Sequence, residues 1–159
     1  MAVVHLSQTL FVSVYCLILV VEDKKLYLWS RKMNLEEYKE RLESLGIEKN
    51  DYVIISGGVM LFNGLKESTE DVDIMVKPEV FKKLKENVTF KKSPKYNYLY
   101  EMYDDVEVAV EGYNDNCYDV IDGYKVEKLE IELKWKKENK RKKDIEAIKI
   151  IENYLNRKG

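Results

Sequence analysis

Ser56-Gly57-Gly58-Val59-Met60-Leu61-Phe62 runs through a polar loop, Lys66-Glu67-Ser68-Thr69-Glu70, into Asp71-Val72-Asp73-Ile74-Met75-Val76. This stretch decides the fold. Ahead of it, Tyr52-Val53-Ile54-Ile55 is a short apolar run that reads as a buried strand stopping at a glycine turn. Gly57 and Gly58 admit backbone angles closed to other residues and present bare N–H groups. Val59 to Phe62 reads as the first turns of a helix, whose start would favour phosphate, and Asn63-Gly64 stops it. The segment from Asp71 to Val76 reads as a second strand, closed by Lys77-Pro78. Alternation along it places Asp71 and Asp73 on one face and Val72, Ile74 and Val76 on the other. Adjacent carboxylates repel unless a cation lies between them, and hard Mg²⁺ accepts carboxylate and phosphate oxygens together.

A third carboxylate can be sought in the same way. Tyr98-Leu99-Tyr100-Glu101-Met102-Tyr103 alternates, turns at Asp104-Asp105, and alternates again through Val106-Glu107-Val108-Ala109-Val110. This predicts a β-hairpin. Glu107 lies mid-strand beside the small Ala109, suited to meet the Asp pair. Glu101 and Glu111 compete for the role, and an ordinary solvent-facing glutamate is the plainer alternative.

Strand, Ser-Gly-Gly turn, helix, polar loop and Asp-x-Asp, in that order, resemble the signature of the DNA polymerase β-like nucleotidyltransferase superfamily. The closest flavour is its small stand-alone group, which includes the AbiEii-type abortive-infection toxins. The resemblance covers about residues 35 to 155. It implies that Ser56, Gly57 and Gly58 hold a nucleoside triphosphate, and that Asp71, Asp73 and a third carboxylate bind two Mg²⁺ ions. That family often has Asp where this chain has Glu107.

The C-terminal part carries two helical patterns. Glu127 to Lys137 has Leu129, Leu133 and Lys136 one turn apart. Ile145, Ile148, Ile151 and Leu155 then recur at helical spacing. Asp144 stands early in the second helix, where the dipole favours an acid, and the lysines make an adequate wet face. A Lys on one helix followed by Arg141-Lys142-Lys143-Asp144 is also similar to the C-terminal motif of the same group. The resemblance implies Lys134 near the triphosphate, with Asp144 orienting basic side chains or contacting the nucleotide. The group's second acid, three positions on, is Ala147 here, so the motif is partial.

Composition bounds the rest. A chain of 159 residues suits one domain with a sizeable core. A formal net charge of −2 exerts no global pull on nucleic acid. Seven Lys or Arg between Lys134 and Lys143, against Glu138 alone, could still meet triphosphate or RNA. Such a run is also an ordinary solvated helix face. Cys16 and Cys117 suggest neither a disulfide framework nor a zinc site, which fits a reducing cytoplasm. The only histidine is His5, so histidine-dependent catalysis is not expected. Tyr96, Tyr98, Tyr100 and Tyr103 suit sheet packing or stacking on a base.

Residues 1–32 stand apart. Leu10 to Val21 is strongly apolar but short of a clean membrane span and lacks the basic start of a signal peptide. Met33-Asn34-Leu35 opens a better amphipathic helix, with Leu35, Tyr38, Leu42 and Leu45 as its stripe and Gly46 as its end. We read residues 1–32 as an extension foreign to the functional fold and 33–159 as one nucleotidyltransferase domain.

The expected fold is α+β: a small mixed sheet carrying the Asp pair and Glu107, helices on one side, and a C-terminal helical pair closing the cleft. The expected activity is Mg²⁺-dependent transfer of an NMP from an NTP to an acceptor hydroxyl. Asp71, Asp73 and Glu107 would be metal ligands, with Lys134 stabilising charge. Two alternatives share the fold: a catalytically silent NTP-binding protein, and a toxin acting on tRNA beside an antitoxin partner.

Overall fold

A computed structural model describes residues 32–158 of the chain; the apolar N-terminal stretch read as an extension lies outside them. The first element, α1 (Leu35–Ser44), begins where the sequence predicts. Asn34 caps it: its Oδ1 accepts from the Glu37 N–H, and the Glu37 carboxylate accepts from the Asn34 N–H, both at 3.0 Å. Such a reciprocal box satisfies two orphan donors and stabilises a helix start by about 1 kcal/mol. Tyr38 and Leu42 of its stripe are fully buried. Gly46, at φ +66°, takes the left-handed turn beyond its end.

From there the chain builds β1 (Tyr52–Ile54), α2 (Gly57–Phe62), β2 (Val72–Val76), α3 (Pro78–Leu84), β3 (Lys91–Lys92), β4 (Leu99–Tyr103) and β5 (Val106–Ala109). It continues with β6 (Tyr118–Ile121), β7 (Tyr124–Glu127), α4 (Leu129–Asn139), a 3₁₀ turn (Lys142–Asp144) and α5 (Ile145–Lys158). The seven strands form one mixed sheet in the order β3-β4-β5-β2-β1-β7-β6. β2 runs parallel to β5, and β1 parallel to β7, while β1 and β2 are antiparallel.

This is the expected α+β architecture with a C-terminal helical pair, and it differs from expectation in four places. Pro78 does not merely close β2; it sits in the first turn of α3, where its missing N–H costs nothing. The sheet does not stop at the β4–β5 hairpin, the last strand pair read from sequence. The β6–β7 hairpin, turning through Asp122 and Gly123 at positive φ, extends the sheet by placing β7 beside β1. Ile145, placed in the apolar stripe of the last helix, is 54% exposed, so burial there centres on Ile151. Finally, β2 is buried along its whole length. With strands on both sides and matter on both faces, it does not show the one-sided alternation that sequence predicts.

The two faces of the sheet have different contents. Ile54, Ile74, Val76, Val108 and Val126 join Tyr38 and Leu42 of α1 in the large core. Val53, Met75, Ala109 and Cys117 form a small cluster on the other face. Alternation therefore sends Asp73 and Glu107 to the sparsely filled side. Among the described residues, no helix is long and apolar enough to cross a membrane.

Gly58 shows how tightly the large core is closed. A Cβ there would lie 2.4 Å from the Tyr38 hydroxyl and 2.5 Å from Ile54 Cγ2. Gly58→Ala should cost about 3 kcal/mol in urea denaturation. Gly123→Ala meets nothing within 4 Å and should cost only the left-handed backbone penalty, about 1 kcal/mol. Equal losses would show that close approach is not what Gly58 provides.

Candidate active site

The site is built on strand register. Asp73 of β2 pairs with Glu107 of β5 across a parallel ladder, so the two carboxyl groups leave the same face side by side. The turn is tied to the same point, because the Ile55 N–H donates to the Asp73 carbonyl at 3.0 Å. Ser56 follows at φ 56°, ψ −126°, a conformation that costs a non-glycine residue about 1–3 kcal/mol. The Asp-x-Asp strand and the glycine corner thus meet, as the sequence reading requires.

Ser56, Asp73 and Glu107 line one cavity of about 490 Å³. Asp73 is 8% exposed, and its Oδ1 is buried without a hydrogen-bond partner. Burial raises the Asp73 pKa to about 8. Repulsion from Asp71 and Glu107 adds to the rise, and the Ser56 hydroxyl opposes it. Glu107 is half-buried and also shifted upward, first by burial and then by Asp71, with partial relief from Asp73. Asp71 itself is exposed and precedes β2, so it acts on the pair as a neighbouring charge. Among the described residues, no group of three acidic, histidine or cysteine side chains is gathered for a metal ion. The orphaned Asp73 oxygen beside Glu107 nonetheless fits a hard divalent cation, which would replace mutual repulsion with shared attraction.

The rest of the Ser-Gly-Gly turn has other work. Gly58 is packed under Tyr38, as described above. Gly57 admits Thr69, whose Oγ1 would be 2.7 Å from a Cβ there, with Lys66 Nζ at 3.8 Å. Lys66 and Thr69 bond each other at 3.5 Å. In the sequence both read as loop; their signal is a lone cation and a hydroxyl just ahead of the Asp pair.

The C-terminal helices contribute differently from expectation. Lys134 is 77% exposed, 4.0 Å from Glu138, and lies along an open surface groove rather than in the cavity. Helical geometry explains this. Glu132 and Lys136 are one turn apart and face inward, and position 134 falls on the opposite side. Asp144 is buried and holds both Lys136, at 3.1 Å, and Arg141, through Nε and through Nη2 at 3.0 Å. Burial pushes the Asp144 carboxyl up, but these two cations outweigh it and hold it below the usual range. Of the roles the resemblance implies for Asp144, orienting basic side chains is the one the contacts match. Arg141, 4.5 Å over the Trp135 ring, reaches the cavity wall.

Three further carboxylates line the same cavity: Glu111, which competes for the third-ligand role in the sequence, Glu127 and Glu132. Burial and the nearby Glu132 raise the Glu127 pKa to about 8. Glu127 reads as the start of a helix, whereas it ends β7; Glu132 lies in the expected helix, and nothing local marks it as facing the cavity.

No family model matches the chain, and no curated protein or solved structure is significantly similar to it.

The raised Asp73 pKa has a signed consequence. The folded protein holds this proton up to about pH 8, whereas an unfolded aspartate releases it near pH 4. Stability is therefore greatest below about pH 4 for this group and declines as pH rises toward 8. Asp73→Asn removes the decline. In chelator-containing buffer its melting temperature should match the parent near pH 4 and exceed it by several degrees at pH 8. A parallel pair of melting curves across that window would contradict the assignment.

Proposed function

We propose that this chain transfers a nucleoside monophosphate from an NTP to an acceptor hydroxyl, with Mg²⁺ as cofactor. The observation that carries the reading is the in-register pair Asp73 and Glu107, with an unpartnered buried oxygen, stitched through Ile55 to the Ser56 turn in one cavity. An enzyme that moves phosphate needs anionic groups to fix cations and a polar corner beside them, without a histidine base.

Asp73 and Glu107 would hold the cation, with Asp71 adding negative charge from outside. When bound, Mg²⁺ supplies positive charge to the phosphates and eases ionisation of the acceptor hydroxyl. Ser56 and the polar pair Lys66 and Thr69 flank the turn where phosphate oxygens would lie. Arg141, held in place by Asp144 and Trp135, is the cavity's basic group and takes the charge-stabilising role first read onto Lys134. The acceptor oxygen forms a new bond to the α-phosphorus, the bond to pyrophosphate breaks, and the hydroxyl proton leaves to solvent.

A silent NTP-binding protein is the second reading, favoured by the exposed position of Asp71 outside the buried pair. Incubation with each α-labelled NTP, Mg²⁺ and total cell extract separates the two. Transfer predicts a labelled fraction that is lost on adding EDTA and restored by excess Mg²⁺. Asp73→Asn, Glu107→Gln and Asp71→Ala should each reduce labelling by about a hundredfold or more. Arg141→Ala should cost at least about tenfold, and Lys134→Ala less than about twofold. NTP binding with no labelled product would favour the silent reading. Full activity in Asp73→Asn would remove the mechanism. The RNA or tRNA acceptor and the antitoxin partner raised from sequence remain proposals of the same assay: label in the RNA fraction would support the former.

A further inference from the structure

We infer that the acceptor is a small molecule carrying an aliphatic amine, and that Glu127 seats its ammonium group. The word acceptor rests on the transfer reading above; the amine site does not.

A row of paired residues crosses the sheet. Ile54 pairs with Ile74 on one side and with Val126 on the other. One residue further on, Asp73, Ile55 and Glu127 stand level, and Asp73 is level with Glu107. All four line the cavity. Glu127 is thus two strand spacings from Asp73, about 10 Å, with Ile55 between them. The metal-binding pair and Glu127 are separate anionic points on one floor.

Charge around this floor does not balance. Among the described residues, no cation pairs with Glu127. Glu132 beside it is 3% exposed, and its Oε1 makes no hydrogen bond, although Lys136 Nζ is 2.8 Å away. That ammonium is shared with Asp144 at 3.1 Å. Arg141 is likewise committed to Asp144. Glu127 is half-buried with no counter-charge among the described residues, so ionising it there is unfavourable unless a cation from outside sits beside it. Hard divalent ions suit the close pair Asp73 and Glu107; Glu127 stands apart from that pair in the same cavity, whose walls include Ile131 and the rings of Tyr96, Tyr98 and Trp135. An ammonium group on an apolar stem gains from both, by ion pairing and by approach to aromatic faces. A volume of about 490 Å³ admits a small molecule.

The test measures binding of spermidine and glucosamine to the full chain by calorimetry, without NTP, with glucose as the neutral control. Both amines should bind and glucose should not. Glu127→Gln, which keeps shape and removes charge, should weaken amine binding at least tenfold. Asp73→Asn should leave the sensitivity to position 127 intact. No amine binding, or amine binding unchanged in Glu127→Gln, overturns the inference. So does binding of a short RNA hairpin alone, which would move the acceptor to the exposed lysines near Lys140. Because NTP is absent, loss of labelling in the transfer assay and loss of amine binding are independent outcomes.

Discussion

A carboxylate kept from water, next to another carboxylate, is the constraint on which this fold turns. Asp73 lies on the most central stretch of the sheet, between β1 and β5, with its side chain buried and one oxygen unpartnered. An apolar residue there would fold more easily, since the parallel ladder and both flanking strands are already satisfied. Burial and the neighbouring carboxylates raise the proton affinity of Asp73 in keeping with that conflict. Proteins place such conflicts where binding energy will later relieve them.

The surroundings hold the conflict in place. Ile55 donates to the Asp73 carbonyl, so the strained Ser56 turn and the carboxylate move together. Behind them, Gly58 brings α2 against Tyr38 and Ile54 so closely that no side chain fits. The Tyr38 hydroxyl is itself buried without a partner, which deepens the dry wall behind the site. Rigidity at the back leaves the other face of the sheet free to be a cavity rather than a core.

What was legible in sequence follows from which signals are local. The start and apolar stripe of α1, the break after the first strand at Ser56 and the β4–β5 hairpin depend on residues a few positions apart, and each is found where the local pattern places it. Glu107 was also legible, because alternation fixed its face and the short Asp104-Asp105 turn fixed its strand. The neighbour it meets was not: the parallel pairing of β2 with β5 brings together residues 73 and 107, and no local pattern records that distance. The same limit hid β7. Glu127 reads as the start of a charged helix, yet a strand order that inserts β7 beside β1 turns it into part of the site floor.

Lysines pose the complementary difficulty. Between Lys134 and Lys143 the sequence offers many cations and no sign of which are inside. Helix geometry sorts them by angle, and the burial of Lys136 with Glu132 and Asp144 makes an interior ion network out of what reads as a wet face. Removing one member would leave the others buried and uncompensated, so this network constrains the helical pair as firmly as an apolar contact. It also uses up positive charge. Lys136 is spent on Asp144 and Glu132, Arg141 is anchored to Asp144 at the cavity wall, and Glu127 is left, among the described residues, without a cation of its own. The acidity of the cavity is therefore a result of how α4 and α5 are fastened, and the same ion pairs that close the fold determine which charges it can receive.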